Sequence, residues 1–263
     1  KKDLIVVPLH VTFGEEDFLD SVDITKDEFY ERLERKEEFP KTSQPTPMAF
    51  MEAYKEVVDK GDEAVVIVLS SKLSGTYPSA KIACEGLEDK IFIVDSLNVS
   101  NAEGALVDYA MRLVREGKSA REIAELLEEA KKRLRLVVLV DTLEYLERGG
   151  RISKASALIG GLFSVKVLLS MEDGAIESVG KAKGIKNANN LFISEIKKHG
   201  SIDFSMPLKL GYTGRDSEKI EKYLRDTKDL WEDKIPSPEF IQIGSVVGTH
   251  TGPGALFLAY FSN

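Results

Sequence analysis

Cysteine is nearly absent from this sequence, and long apolar runs are missing altogether. The single cysteine, Cys84, excludes an internal disulfide bond and any metal site built from several thiolates. We therefore expect a reducing, cytoplasmic location. No stretch approaches the ~18 consecutive apolar residues of a membrane-spanning helix. Residues 1–3 lead into too short an apolar stretch for a signal peptide, so none is expected.

Basic residues are fewer than acidic residues in this sequence. The chain has 36 Lys and Arg against 44 Asp and Glu, a net charge of −8. Because nucleic acids are bound through clustered cations, we expect neither DNA nor RNA as the main partner. The apolar share of 43% is ordinary for a globular protein, and 263 residues suffice for two domains or one large domain with a real core.

The first half alternates strands with amphipathic helices. Residues 4–11, 64–69 and 91–94 have strand patterns, and helices are predicted near 101–116 and 120–132. The apolar run at 64–69 indicates a strand buried on both faces. We therefore predict an α/β/α domain with a mainly parallel sheet covered by helices.

The second half contains hairpin signals. Strand patterns at 165–169 and 176–179 flank Glu172-Asp173-Gly174, a turn sequence typical of a β-hairpin. Further strands are predicted at 240–247 and 255–261. The overall prediction is a two-domain α/β protein, with an N-terminal α/β domain at 1–133 and a C-terminal α+β domain at 134–263.

The segment 69–77 is unusually rich in hydroxyl side chains. It lies between a predicted strand and a predicted helix, where unpaired backbone N–H groups and the helix dipole favour an anion. Helix capping needs one hydroxyl, whereas this loop has four, and Gly75 permits close backbone approach. No Walker A motif is present, and Lys72 alone would poorly neutralise a polyphosphate, so a single carboxylate fits better. The hydroxyls belong to Ser70, Ser71, Ser74 and Thr76.

Two further segments are candidates for the same site. Residues 42–45, Thr-Ser-Gln-Pro, also precede a predicted helix and could share one rim of the sheet with the first loop. Taken alone, this segment is more simply a proline-bounded turn. His250 lies in a glycine-rich turn predicted between two strands, where a single histidine is more often structural than functional.

A catalytic alternative remains open at this point. Ser74 or Asp95 could serve a hydrolase or phosphotransferase, provided that a base lies about 3 Å from the nucleophile. Asp95 and Asp141 both end predicted strands, but neither has a second acidic residue or histidine at metal-ligand spacing. No Gly-x-Ser-x-Gly elbow exists. Cys84 is most simply a core thiol.

Five segments resemble, in order along nearly the whole chain, the DegV family of bacterial fatty-acid-binding proteins. This family includes the lipid-binding subunit of the bacterial fatty acid kinase. Each segment alone is modest evidence, whereas five in family order are specific. The segments are 41–45, 69–77 followed by Ser79-Ala80, 94–96, 143–152 and 250–255.

The resemblance implies one long-chain fatty acid, such as palmitate, stearate or oleate, between two α/β domains. Thr42 and Ser74 would hold the carboxylate, and Ser43 and His250 would extend the polar network. The protein would be non-catalytic and would need neither a metal nor a cofactor. It would present the carboxylate to an ATP-dependent fatty acid kinase. Arg151, after two glycines, is a candidate docking residue for that partner, with a local ion pair as the equally simple interpretation.

The sequence departs from the family pattern in two places. Family members open with a short strand ending in an Asp-Ser turn, so either that segment was left out or the sheet lacks an edge strand. Because the first residue is not Met, we expect that initial residues are missing. Lys181 and Lys183 stand where the family tends to have arginine, and lysine cannot make the same bidentate contact.

The fatty-acid tail would need an apolar lining. Small residues at Gly160-Gly161 leave room beside four apolar side chains, although ordinary core packing explains these equally simply. The candidates are Leu158, Ile159, Leu162 and Phe163.

Overall fold

The computed structural model describes residues 4–152, 165–231, 233–235 and 238–263. It has the predicted α/β class. Up to residue 133 its elements are β1 (His10–Phe13), β2 (Glu16–Leu19), α1 (Lys26–Arg35), β3 (Lys41–Ser43), α2 (Pro47–Asp59), β4 (Ala64–Val68), α3 (Thr76–Ala83), β5 (Ile91–Asp95), α4 (Asn101–Arg115) and α5 (Ala120–Ala130). Beyond it they are β6 (Leu134–Val140), α6 (Glu144–Arg148), β7 (Val165–Glu172), β8 (Ala175–Lys183), α7 (Ile185–Lys198), β9 (Lys209–Tyr212), α8 (Glu218–Asp226), β10 (Phe240–Gln242), α9 (Ser245–Thr251) and β11 (Leu256–Phe261).

Helices α1, α2 and α5 each begin at a residue whose side chain caps the first turn. Ser119 and Glu122 form a capping box at the start of α5, in which each side chain bonds the backbone of the other. Thr46 caps α2, and Pro47 occupies its first turn, where a missing N–H costs nothing. These local signals explain why the predicted helices of the first half are found close to their expected positions.

Two small sheets form in the first half of the chain. Strands β2, β1 and β3 make an antiparallel sheet, in which Val11 of β1 lies opposite Thr42 of β3. Strands β4 and β5 pair in parallel. Buried Phe50 and Tyr54 of α2 pack in one core cluster with Val68 of β4. The strands of the parallel pair end at Val68 and Asp95, each within one residue of its predicted end, and the hydroxyl-rich loop follows β4.

A six-stranded sheet dominates the second half. Its order is β10-β9-β11-β6-β7-β8, and β9 and β10 form its parallel pair. Along β6, Leu136 and Val138 share a core cluster with residues of α4 and α5, whereas Val137 and Leu139 face a cluster with α7 and α8. The sheet is thus covered by helices on both faces. The predicted hairpin is confirmed as β7 and β8, joined at Asp173-Gly174.

The largest core cluster includes residues from both sides of position 133. Leu106 of α4 and Leu127 of α5 pack with Leu136 and Val138 of β6. The proposed division at 133 falls immediately before β6. The two parts of the chain therefore share apolar contacts, and their division into two domains stays a prediction.

Two strand predictions are wrong. The strand predicted at 240–247 ends at Gln242, and α9 follows it, so His250 lies in the last turn of a helix and not in a turn between strands. Val246 and Val247 of α9 favour a strand locally, but tertiary contacts outweigh that preference. The strand predicted at 4–11 begins only at His10, after Pro8, which cannot donate a ladder hydrogen bond.

In the part of the chain that the structure describes, no helix combines the length and the apolar character needed to cross a bilayer.

Candidate functional site

A cavity of about 860 Å³, part of it open to solvent, lies between the loops of the first half and the six-stranded sheet. Apolar side chains on the sheet form much of the wall: Leu136, Val138, Leu169, Met171, Ile176 and Phe257. The polar side chains that reach it include Thr42, Ser43, Gln44, Ser74, Arg151, His250 and Thr251.

The sheet wall was not among the sequence predictions. Leu136 and Val138 alternate along β6, and Phe257 lies opposite Val138 on β11. Period-two alternation indicates that such residues share a face, but it does not say which face borders a cavity. The tail-lining candidates Leu158, Ile159, Leu162 and Phe163 lie outside the described residues.

The Thr42 hydroxyl and the His250 imidazole meet at the cavity. Thr42 Oγ1 lies 2.9 Å from His250 Nε2, although 208 residues separate the two along the chain. Pairing of β3 with β1 places Thr42, and α9 places His250. Gly149 lets the ring fit, since a Cβ added there would lie 2.1 Å from His250 Nδ1. A side chain at position 149 would therefore displace the ring.

The imidazole is neutral at physiological pH. Burial, together with the positive charge of Arg151, lowers the pKa of His250 from 6.5 to about 4. A neutral ring carries one proton. If that proton is on Nε2, it is donated to Thr42 Oγ1, and the Thr42 hydroxyl is free to donate its own proton into the cavity.

The hydroxyl loop after β4 reaches the same cavity through Ser74. Ser74 Oγ lies 2.9 Å from Thr76 Oγ1 and accepts a hydrogen bond from the Thr76 backbone N–H at 3.3 Å. Thr76 is buried and is not among the residues lining the cavity, nor is Gly75. Thr76 therefore positions the Ser74 hydroxyl without itself facing the cavity, and Gly75 does not face the cavity either. Their proposed role in lipid binding stays a prediction.

The two hydroxyl loops touch each other at Gly75. A Cβ added to Gly75 would lie 2.5 Å from the side-chain amide of Gln44, two residues after Thr42. Ser74 and Thr42 line the same cavity. The two segments therefore border one cavity, but they do not share the rim of one sheet as expected, because Thr42 lies on β3 of the antiparallel sheet and the Ser74 loop follows β4 of the parallel pair.

Arg151 supplies a positive charge at the polar part of the cavity. Its Nε donates to the Leu73 carbonyl at 3.2 Å, and one terminal nitrogen donates to the Gly149 carbonyl at 2.7 Å. The guanidinium thus connects the Ser74 loop with the glycine beside His250. Lys181 and Lys183 are exposed on β8 and do not line the cavity. The sequence analysis gave Arg151 as a docking candidate and did not predict that it lines the cavity. Its place directly after Gly149-Gly150 was the available signal.

The geometry of Asp95 and Ser74 does not form a catalytic pair. Asp95 Oδ1 accepts backbone N–H groups of Ser71 and Leu97 at 3.3 and 3.0 Å, and Asp95 does not line the cavity. Among the described residues, the hydrogen-bond partner of the Ser74 hydroxyl is Thr76, whereas His250 bonds Thr42. No base therefore lies against the candidate nucleophile there. Groups of three or more metal-ligating side chains are likewise not found within the described part of the chain.

The fold and the cavity define a class of α/β protein with an apolar pocket that ends in hydroxyl, imidazole and guanidinium groups. A model of the DegV family, described as one of uncharacterised proteins, matches residues 1–263. The chain belongs to the DegV family. It is 36% identical over 255 residues to a DegV domain-containing protein of Caldanaerobacter subterraneus subsp. tengcongensis, covering 96% of this chain and 89% of that relative.

Solved structures of this family have the same fold. A DegV family protein from Thermus thermophilus, described for its fatty acid binding, superposes with a TM-score of 0.85 at 29% identity. The superposition covers 97% of this chain and 91% of the Thermus thermophilus chain. A stearic acid-binding protein from Eubacterium ventriosum also has a TM-score of 0.85 at 29% identity, covering 97% of this chain and 90% of its own.

Proposed function

We propose that this protein binds one long-chain fatty acid, with its carboxylate held by the hydroxyls of Thr42 and Ser74. The observation that carries the proposal is one cavity, in which an apolar sheet face adjoins Thr42, Ser74, His250 and Arg151. The fatty acids named for the related structures are consistent with this ligand class.

The polar groups offset the loss of water from the carboxylate. Desolvating an anion costs several kcal/mol unless donors replace its hydration. Thr42, oriented by the neutral His250 ring, and Ser74 offer hydroxyl donors, and the exposed Ser43 extends this rim. The Arg151 guanidinium adds a nearby positive charge, although its described hydrogen bonds go to backbone carbonyls.

The tail provides most of the binding free energy. Each buried CH₂ contributes about 0.8 kcal/mol, so a tail of ~16 carbons offers on the order of 10 kcal/mol. Immobilising the ligand offsets part of this gain. The sheet residues Leu136, Val138 and Phe257 give the tail an apolar surface. The hydroxyls then fix which end of the ligand lies beside Thr42.

The protein acts in this proposal as a cytosolic carrier without chemistry of its own. It presents the carboxylate to an ATP-dependent fatty acid kinase, the role that the family resemblance suggests. Arg151 is partly buried and lies beside the carboxylate site, so it would contact the kinase only where the cavity opens. Among the described residues the Ser74 hydroxyl bonds Thr76 and not a base, which supports binding over catalysis.

Denaturing extraction of the purified protein followed by mass spectrometry tests the proposal directly. We expect a co-purified long-chain fatty acid such as palmitate, stearate or oleate. Protein without endogenous lipid should bind added palmitate or oleate, and Ser74→Ala should weaken that binding. The proposal would be overturned if no fatty acid co-purified and if the protein did not bind added palmitate or oleate. Full palmitate affinity in the Ser74→Ala variant would remove Ser74 from the site but leave the ligand class intact.

A further inference from the structure

The helix that carries His250 is capped by a carboxylate from the other end of the chain. Asp20 Oδ1 accepts a hydrogen bond from the Ser245 backbone N–H at 3.1 Å, and Oδ2 accepts one from the Val246 backbone N–H at 3.3 Å. Gly244 occupies the N-cap position of α9 and has no side chain to cap it. Asp20 therefore replaces the missing cap from a distance of 225 residues.

This remote cap matters because α9 is a weak helix. It has seven residues, Ser-Val-Val-Gly-Thr-His-Thr, most of them β-branched or glycine. Such residues have low helix propensity, and a helix this short is not stable in isolation. A carboxylate at the N-terminus satisfies free N–H groups and interacts favourably with the helix dipole. The helical state of this segment therefore depends on Asp20 and on packing.

Packing fixes α9 on its remaining sides. Gly248 lies against α1 so closely that an added Cβ would be 2.7 Å from the Tyr30 hydroxyl oxygen. That hydroxyl donates to the Ile243 carbonyl, just before the helix, at 3.0 Å. Gly252, at a φ of +69°, ends the helix against the ring of Tyr145. The helix thus has little freedom to shift while Asp20 holds its first turn.

We infer that Asp20 is a positioning residue of the carboxylate site, which holds the His250 imidazole against Thr42 by capping α9. Asp20 does not itself line the cavity, so its effect on the ligand passes through the helix. The inference rests on the proposed function insofar as it assigns His250 and Thr42 to the fatty-acid head group.

The test compares Asp20→Ala and Asp20→Asn with Ser119→Ala. Ser119 caps α5 and does not line the cavity, so its variant controls for the loss of a helix cap as such. We expect Asp20→Ala to move the imidazole NMR signals of His250 and to weaken palmitate binding about three- to tenfold, as a lost cap would. Asp20→Asn retains one acceptor oxygen, but its NH₂ group cannot accept the second backbone N–H, so both effects should be smaller than in Asp20→Ala and still measurable. Ser119→Ala should leave both unchanged.

A double-mutant cycle separates positioning from general destabilisation. If Asp20 acts through His250, Asp20→Ala should weaken palmitate binding in the native background but not further in the His250→Ala background. The inference would be overturned if the affinity losses of the two single variants multiplied in the double variant, or if the His250 signals were unchanged in Asp20→Ala. If Asp20→Ala does not fold, Asp20→Asn decides the question, because it loses one of the two backbone acceptors; unchanged His250 signals and unchanged palmitate affinity in Asp20→Asn would then overturn the inference. Should His250→Ala bind palmitate normally, the head-group role of His250 fails, and the NMR comparison alone decides the role of Asp20.

Discussion

Thr42 and His250 form a 2.9 Å contact between a short strand near the start of the chain and a helix near its end. Neither residue is unusual in its local sequence, where a turn threonine and a single histidine have simple structural explanations. Their contact, together with Ser74 and Arg151 on the same cavity, gathers polar groups from separate segments at one place.

Substitution of Gly149 should disable the site without touching the ligand directly. The Cβ of Gly149→Ala would lie 2.1 Å from His250 Nδ1, so the ring cannot keep its present position against Thr42. We expect fatty-acid affinity to fall by about tenfold or more, equivalent to about 1.4 kcal/mol, in a titration with palmitate.

Gly104→Ala is the matched control for this variant. Gly104 lies inside α4, and an added Cβ there meets only the flexible end of Lys209, at 3.3 Å. The control should bind palmitate normally and gain about 0.5–1 kcal/mol of stability. Equal affinities for both glycine variants would contradict the assigned role of the His250 ring.

Two adjacent leucines on β7 separate ligand binding from stability. Leu169 lines the cavity, whereas Leu168 packs in the cluster on the opposite face of the sheet. Both Leu→Ala variants should lose about 2–5 kcal/mol of unfolding free energy in urea titrations. Only Leu169→Ala should also show weaker fatty-acid binding. A similar affinity loss in Leu168→Ala would indicate that binding reports general stability and not contact with the tail.

The buried imidazole of His250 makes stability depend on pH. Its pKa is about 4 in the folded protein and 6.5 ordinarily, so the unfolded chain binds more protons between these values. The unfolding free energy of the native protein should therefore fall as the pH is lowered from 6.5 towards 4, by up to about 3 kcal/mol. His250→Gln removes this contribution. Urea titrations across this pH range give the difference in unfolding free energy between the native protein and His250→Gln. A difference that does not change with pH would contradict the prediction.

Glu103 should produce a pH dependence of the opposite sign. Desolvation raises the pKa of this carboxyl, in the first turn of α4, from 4.5 to about 8. The unfolded chain loses this proton near pH 4.5, whereas the folded chain holds it to about pH 8. Stability should therefore decrease across that interval by a few kcal/mol. Glu103→Gln should remove the decrease in urea titrations, and Glu125→Gln on the exposed side of α5 should retain it.

Local sequence was sufficient for the parts of the fold that local interactions stabilise. Capping groups at Thr46 and Ser119 mark the starts of α2 and α5, and Asp173-Gly174 marks the hairpin turn. The hydroxyl loops of Thr42 and Ser74 were identified because hydroxyl-rich segments before helices are chemically unusual. Such signals act over a few residues, where hydrogen bonds and backbone preferences are fixed by nearby atoms.

Tertiary structure decided the features that depend on distant partners. The segment after Gln242 has the valines of a strand but forms α9, because Asp20 caps it and Tyr30 leaves space only for Gly248. Arg151 borders the cavity because its guanidinium binds carbonyls of two different segments. Sequence by itself therefore determined most elements and the candidate polar loops. Only long-range packing decided which faces enclose the cavity, since apolar periodicity identifies a buried face but not what it is buried against.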